Sequence, residues 1–238
     1  MIKFIVLSTQ RSGSLFVCTC LDSYPNVRCH NDLFMPKAYK NTAYRAYRQA
    51  PIQRRIEHLI RPQASVDRYL AGIFDDNIDA LGFKLMYGQA RRFPQVSHWC
   101  RKQNVGVIHL IRRNSLKIHV SRQIAKKRGI YFSTVDPKPM SVSLDTRSLV
   151  GSLRRIEHEI SHYGAMFDVG DYMEIFYEDF VADPEKQSER LLSFLDVAAD
   201  INLSSNLVKT SSDSLADVVD NYGEIQRVLG GTDFEKHL

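Results

Sequence analysis

No stretch of this sequence approaches the roughly 20 consecutive apolar residues that a membrane-spanning helix needs. The first apolar run, Ile2 to Leu7, is also shorter than the core of a signal peptide. A reducing cytoplasm is therefore the expected location. Cysteine is sparse: Cys18, Cys20, Cys29 and Cys100 show no CxxC pair and no histidine partners at zinc-finger spacing, so neither a redox motif nor a metal site follows. On the first helix, Cys18 and Cys20 are expected as buried reduced thiols. Charge of one sign is in short supply too. The 32 Lys and Arg stand against 27 Asp and Glu, a net +5 that suits an anionic ligand and is too small to imply nucleic acid. Fixed-period repeats and low-complexity tracts are missing, and 44% hydrophobic with 25% charged residues is an ordinary globular composition. The 238 residues fit one α/β domain, 1–238, with a helical insertion, and two full domains would be cramped.

What is present begins with residues 2 to 16, IKFIVLSTQRSGSLF. The apolar run Ile2 to Leu7 is short and rich in Ile, Val and Phe, the pattern of a strand buried on both faces at the centre of a parallel sheet. Small polar residues follow from Ser8 to Ser14, and Leu15, Phe16, Val17 and Leu21 then return at helical spacing. In such a strand, loop and helix, small residues let backbone N–H groups converge. The helix N-terminus adds about half a positive charge, so the concavity attracts phosphate. Arg11 adds a fixed cation with forked donors. A triphosphatase loop reads GxxxxGK[ST]; here only Gly13 is present and no Lys precedes the hydroxyl residues, which weakens a triphosphate-and-magnesium reading. The plain alternative is a βα turn whose Ser and Gly cap a helix.

Further strands are expected at Val27 to His30, Ala80 to Met86, Val105 to Ile111 and Asp171 to Tyr177, alternating with helical patterns. Alternation of this kind gives a three-layer α/β sandwich, doubly wound, around a mainly parallel sheet of about five strands. Residues 39–72 read as one or two helices interrupted by Pro51 and Pro62, with Ile52, Ile56, Leu59 and Ile60 at helical spacing. Tyr39, Tyr44, Arg45, Tyr47, Arg48, Arg54 and Arg55 in this insertion could line a sugar or anion site, or form a solvated face. A helix from Asn114 to Lys127, ended by Gly129, is expected to pack Leu116, Val120 and Ile124 on the sheet. Residues 131–144, with Pro137 and Pro139 and no period, read as a loop with freedom to move. Asp145 is expected to cap a long amphipathic helix, Pro184 to open another, and Leu215 to Val219 to form a short one.

The second informative stretch is HLIRRNSLKIHVS, residues 109–121. Arg113 stands where the strand ends, and Ser121 lies eight residues on, about two turns into the next helix. An Arg at a strand tip and a hydroxyl on the facing helix can hold one phosphate between them. Equally, Arg112 or Arg113 could cap a helix or pair with Glu178, with Ser121 incidental.

Both stretches resemble sulfotransferases. Arg11-Ser12-Gly13-Ser14 is similar to that family's 5′-phosphosulfate loop, a basic residue followed by Ser-Gly-Ser/Thr. Arg113-Asn114 with Val120-Ser121 is similar to its 3′-phosphate motif. Weaker likenesses are Gly82 to Met86, Tyr177-Glu178-Asp179 and the tail from Lys209 to Asn221. The resemblance spans most of the chain in the pattern of bacterial, carbohydrate-type members and implies a P-loop-like fold. It implies 3′-phosphoadenosine 5′-phosphosulfate (PAPS) as donor, adenosine 3′,5′-bisphosphate (PAP) as product, no metal requirement, and a small-molecule, glycan or glycolipid acceptor. By it, Arg11, Ser12, Gly13, Ser14 and Leu15 hold the 5′ end of the donor and Arg113 with Ser121 the 3′-phosphate. A related Golgi enzyme carries an N-terminal anchor; none is visible, so a soluble bacterial-type protein is expected.

The chain departs from the pattern after the second strand. Many relatives have Gly-Glu-x-Phe there, with the Glu as catalytic base; here the residues are Asn31-Asp32-Leu33-Phe34. Asp32 is the expected base, one methylene shorter, and His30 the alternative because imidazole titrates nearest neutral pH. Lys84 is expected to reach the donor sulfate or acceptor, or to snorkel at the rim. The runner-up function is a P-loop-like kinase or NTPase, disfavoured also by the lack of a strand ending in a magnesium-binding Asp. A catalytically inactive nucleotide- or glycan-binding module on the same fold is the third.

Overall fold

The structure is a computed structural model, and it describes residues 1–35, 43–49, 51–129, 140–168, 170–198 and 214–238. Its first half runs β1 (Ile2–Ser8), α1 (Ser14–Asp22), β2 (Val27–His30), α2 (Tyr44–Gln49), α3 (Ile52–Ile60), α4 (Pro62–Ile73), β3 (Ala80–Met86), α5 (Tyr87–Arg92) and α6 (Pro94–Lys102). The second half runs β4 (Gly106–Ile111), α7 (Ser115–Arg128), α8 (Thr146–Phe167), β5 (Tyr172–Phe176), α9 (Tyr177–Ala182), α10 (Pro184–Phe194) and α11 (Tyr222–Leu229), then a 3₁₀ turn at Glu235–His237. The five strands form one parallel sheet in the order β2-β3-β1-β4-β5. The α/β sandwich expected from alternating patterns is therefore what forms.

Each central strand is apolar on both faces because both faces are covered. Ile5 and Leu7 of β1 join Leu81, Phe83 and Leu85 of β3 in a core roofed by α4, α5, α6 and α8. Phe4 and Val6 point the other way, with Ile108, Leu110 and Ile175, under α1 and α10. Gly82 is required there, since a Cβ on it would stand 2.5 Å from the Phe4 ring. The chain leaves β1 for the β2 edge and returns across it to β4, so β1 and β4 flank the point where strand order reverses. In open parallel sheets, ligands bind at the carboxyl ends of the strands at such a point.

Several local expectations change. Residues 43–73 form three helices, because Pro51 caps α3 and Pro62 occupies the first turn of α4, each starting a helix rather than bending one. The apolar face of α7 packs on α8 and the C-terminal segment rather than on the sheet, with Leu116, Ile118 and Val120 against Leu149, Leu153 and Ile156. Residues 215–219 make turns instead of a helix: Val142 donates its N–H to the Val218 carbonyl and accepts from Asp220 N–H, a parallel bridge that takes the backbone groups a helix would use. Strand β5 stops at Phe176, one residue early, and Tyr177 opens α9. Asp145 caps α8 through Arg147 N–H, and Gly129 ends α7 at φ 67°. Residues 131–139 of the expected loop, Tyr39, and Lys209 to Asp213 of the tail lie outside the described residues.

Candidate active site

Strand β1 ends on Ser8, in register with Met86 of β3 and Leu110 of β4. The chain then turns sharply. Arg11 takes φ 68° and Gly13 φ 89°, both in the left-handed region. Ser12 Oγ donates to the Thr9 carbonyl at 2.9 Å, which ties the loop to itself. Gly13 is the N-cap of α1 with no side-chain cap, and the first-turn N–H groups of a helix have no partner inside it. A side chain at Gly13 is impossible on a second count: its Cβ would stand 2.2 Å from the Tyr177 ring. Ser14 is buried beneath the turn and Leu15 is exposed beside it, so Leu15 offers its backbone rather than packing its side chain.

The second stretch meets this loop from the β4 side. Arg11 Nε donates to Ser121 Oγ at 2.8 Å, joining two residues 110 positions apart. Arg112 Nη1 donates to the Arg11 carbonyl at 3.2 Å and lies over the Tyr177 ring, 5.0 Å from its centre. Arg122 donates to Thr9 Oγ1. Loss of surrounding water, then the fields of Arg112 and Arg128, hold the Arg11 pKa below the ordinary guanidinium value. Arg122 is likewise pushed down by burial, with Glu159 and Tyr87 opposing. A buried guanidinium further depressed by neighbouring arginines makes a recess where an incoming anion relieves repulsion.

Arg113 is placed differently from the expected clamp with Ser121. Its fork binds Asp179 bidentately at 2.5 and 2.8 Å, its plane lies 3.9 Å from the Phe176 ring centre, and its backbone N–H donates to Glu178 Oε2 at 3.1 Å. The hydrogen bond to Asp179 raises the Arg113 pKa, and the same bond lowers that of Asp179. Arg113 and Ser121 thus stand on the same side of the loop with separate partners, Asp179 and Arg11.

On the β2 and β3 side, Asp32 takes φ 39° just past the strand end. Its Oδ2 is 2.8 Å from Lys84 Nζ, and its Oδ1 accepts from Gln89 Nε2 at 3.3 Å. Lys84 does not snorkel at the rim: it is fully buried in β3, because the neighbouring strands and α1 enclose its stem and Asp32 meets its ammonium. Gln89 in turn accepts from Met86 N–H at 3.0 Å, so the α5 start anchors the carboxylate. His30 ends β2, half-buried and in register with Phe83. Two groups thus form at the carboxyl edge of the sheet: Arg11, Arg112, Ser121 and Arg122 about the loop, and Asp32, Lys84 and Gln89 beside β3. Sequence reasoning missed Arg122, Gln89, Tyr177 as the floor of Gly13, and Asp179 as the partner of Arg113. Only Gly13 carried a local signal, since a loop glycine before a helix marks a left-handed turn.

The chain matches the sulfotransferase family over residues 4–200. It belongs to that family. Its fold is similar to a sulfotransferase from Alicyclobacillus acidocaldarius (14% identity, 88% of this chain and 86% of that one, TM-score 0.53). It is also similar to a sulfotransferase domain from the curacin biosynthetic pathway (15%, 84% and 76%, 0.51). A mouse sulfotransferase complexed with PAP shares it as well (11%, 99% and 87%, 0.50). No curated protein matches by sequence. Among the described residues, no helix of this sulfotransferase family member is long and apolar enough to cross a membrane.

Proposed function

We propose that the chain transfers a sulfuryl group from PAPS to a hydroxyl of a carbohydrate or glycolipid in the cytoplasm, releasing PAP. The observation that supports this most is the Arg11 to Ser121 hydrogen bond, because it joins the two sequence stretches into one basic recess at the strand-order reversal. The donor set fits the group: N–H groups of a helix start, three arginines and buried hydroxyls suit a dianionic phosphate and a bridged sulfate. In this reading Ser12, Gly13, Ser14 and Leu15 bind the 5′ side. Arg113 and Ser121 serve the 3′-phosphate, Arg113 keeping or exchanging its Asp179 partner.

The acceptor oxygen forms a bond to sulfur as the bond from sulfur to the bridging phosphate oxygen breaks. The acceptor proton passes to Asp32, and the electron pair stays on PAP, where Arg11 and the loop N–H groups stabilise the new charge. Lys84 holds Asp32 and can share the charge of the transferring group. Such fixed cations do the work that magnesium does in kinases, so turnover persists in excess EDTA.

One observation favours a second reading, a binding module without turnover: both Asp32 oxygens already have protein partners, Lys84 and Gln89. A carboxylate accepts up to about four hydrogen bonds, so room for a hydroxyl remains. Release of PAP from PAPS across a panel of sugars and glycolipids decides between them. Turnover that falls about 100-fold in kcat in Asp32→Asn, with unchanged PAPS affinity, supports the enzyme and the base. Unchanged kcat in Asp32→Asn with loss in His30→Ala moves the base to the imidazole. Donor binding without release with any acceptor supports the module.

A further inference from the structure

Helix α3 is amphipathic with its polarity reversed. Ile52, Ile56, Leu59 and Ile60 are 58%, 49%, 74% and 72% exposed, while the polar side turns toward the protein. Arg48 donates to His58 Nε2 at 2.6 Å, which leaves the proton on Nδ1, 3.0 Å from the Tyr44 hydroxyl; that hydroxyl donates to buried Ser65. Arg54 lies 4.2 Å from the Tyr47 ring centre, and Glu57 pairs with Arg68 at 3.0 Å. The helix is therefore held by specific polar contacts with its aliphatic stripe outward, at an unfavourable cost in water of roughly a kcal/mol or more per side chain. Four adjoining large aliphatic residues on one face mark a surface that something covers.

The surrounding charge selects the occupant. Residues 43–68 hold six arginines, Arg45, Arg48, Arg54, Arg55, Arg61 and Arg68, against two acids, Glu57 and Asp67, in a chain whose net charge is only +5. Arg45, Arg55, Arg61 and Arg68 are exposed. An outward aliphatic stripe, low mean hydropathy and a basic flank are the features of a helix that lies in the plane of a bilayer interface. Each arginine near an anionic leaflet adds attraction. A second copy of this chain meets the stripe but repels the arginines.

We infer that α3 docks this protein on an anionic lipid bilayer, with Ile52, Ile56, Leu59 and Ile60 inserted and Arg55 and Arg61 at the headgroups. The same helical layer packs its inner face on Phe34, two residues after Asp32, through Tyr44 and Tyr69. The inference does not depend on sulfuryl transfer, and binding alone tests it.

The test is co-sedimentation of the full chain with vesicles of phosphatidylcholine, with and without phosphatidylserine. Wild type binds the anionic vesicles and stays in solution with phosphatidylcholine alone. Ile56→Ser/Leu59→Ser weakens binding about tenfold or more, with an unchanged circular dichroism spectrum because both side chains are exposed. Arg55→Ala/Arg61→Ala, which leaves the stripe intact, weakens it about 30-fold and flattens its salt dependence. Equal binding to both vesicle types, or wild-type affinity in either double variant, overturns the inference. So does a lipid-free dimer in analytical ultracentrifugation that Ile56→Ser/Leu59→Ser converts to monomer, which would make a second copy the occupant.

Discussion

The loop after β1 and the helical layer after β2 both leave the carboxyl ends of the sheet, with β3 between them, and are held in different ways. The loop is fixed by short contacts to strand ends: Ser12 on Thr9, Arg112 on the Arg11 carbonyl, Tyr177 under Gly13. The layer of α2 to α4 is held by an aromatic cluster, in which Phe34 meets Tyr44, Tyr69 and Phe93, and by polar contacts that face its aliphatic stripe outward. The first arrangement fixes a basic recess at the carboxyl ends of the strands. The second leaves Ile52, Ile56, Leu59 and Ile60 exposed on one face. Asp32 stands between them, two residues beyond the end of β2 at His30 and ion-paired to the buried Lys84 of β3.

Removing a loop cation should have the largest effect if the recess is the donor side. Arg11→Ala removes the donor to Ser121 and the cation proposed to face the leaving oxygen, and kcat/KM should fall about 100- to 1,000-fold. Arg55→Ala on α3, measured with a water-soluble acceptor, should leave it unchanged. Comparable losses from both would erase the distinction between the two regions.

The next effect lies inside the sheet that carries both regions. His109 of β4 is buried between the Tyr87 hydroxyl of α5 and the Tyr172 hydroxyl of β5, each at 2.5 Å. Burial pushes its pKa down from 6.5 to about 4, despite Glu174 at 3.9 Å. The unfolded imidazole takes a proton below about pH 6.5 and the folded one only near pH 4, so the unfolded state binds more protons in that window. Stability should therefore be full above pH 6.5 and fall by roughly 3 kcal/mol as pH drops toward 4. Urea unfolding across that range reads the slope. His109→Phe, less stable at neutral pH because the Tyr87 hydroxyl loses its imidazole partner and Tyr172 keeps only Glu174, should lose this part of the slope.

A smaller effect tests how rigid the loop must be. Gly13→Ala adds a Cβ against Tyr177 at a positive φ, so PAP affinity should fall about tenfold, as expected for one to a few kcal/mol of backbone strain. Pairing it with Tyr177→Ala, which removes the obstructing ring, should recover part of that loss in calorimetry. No recovery would place the constraint in the backbone alone.

The difference between the regions also decides what the sequence could reveal. The loop after β1 was readable because its signals are local: an apolar strand, one glycine, hydroxyl residues and a helix within 15 residues. The central strands β1, β3 and β4 were readable as apolar runs, since a parallel sheet buries both faces there, whereas the edge strands β2 and β5 are only partly buried. Contacts that set the site's geometry were not, because Arg113 and Asp179 lie 66 positions apart and Arg11 and Ser121 lie 110. The spacing of Ile52, Ile56, Leu59 and Ile60 announced an amphipathic helix and said nothing of which side faces inward. Tyr44, Tyr47 and His58 decide that, through contacts visible only once folded. Likewise α7 displayed an apolar face whose partner, α8, is another helix and not the sheet.

The most direct test of the central claim, that the β1 loop and the β4 stretch form one donor site, is calorimetric binding of PAP against 5′-AMP. The two ligands differ only in the 3′-phosphate, which Arg113 and Ser121 are proposed to hold. PAP should bind at least about tenfold tighter, as one set of charge-assisted contacts provides, and Arg113→Ala should remove most of that difference while leaving 5′-AMP affinity unchanged. Equal affinity for PAP and 5′-AMP in the wild type would contradict the account.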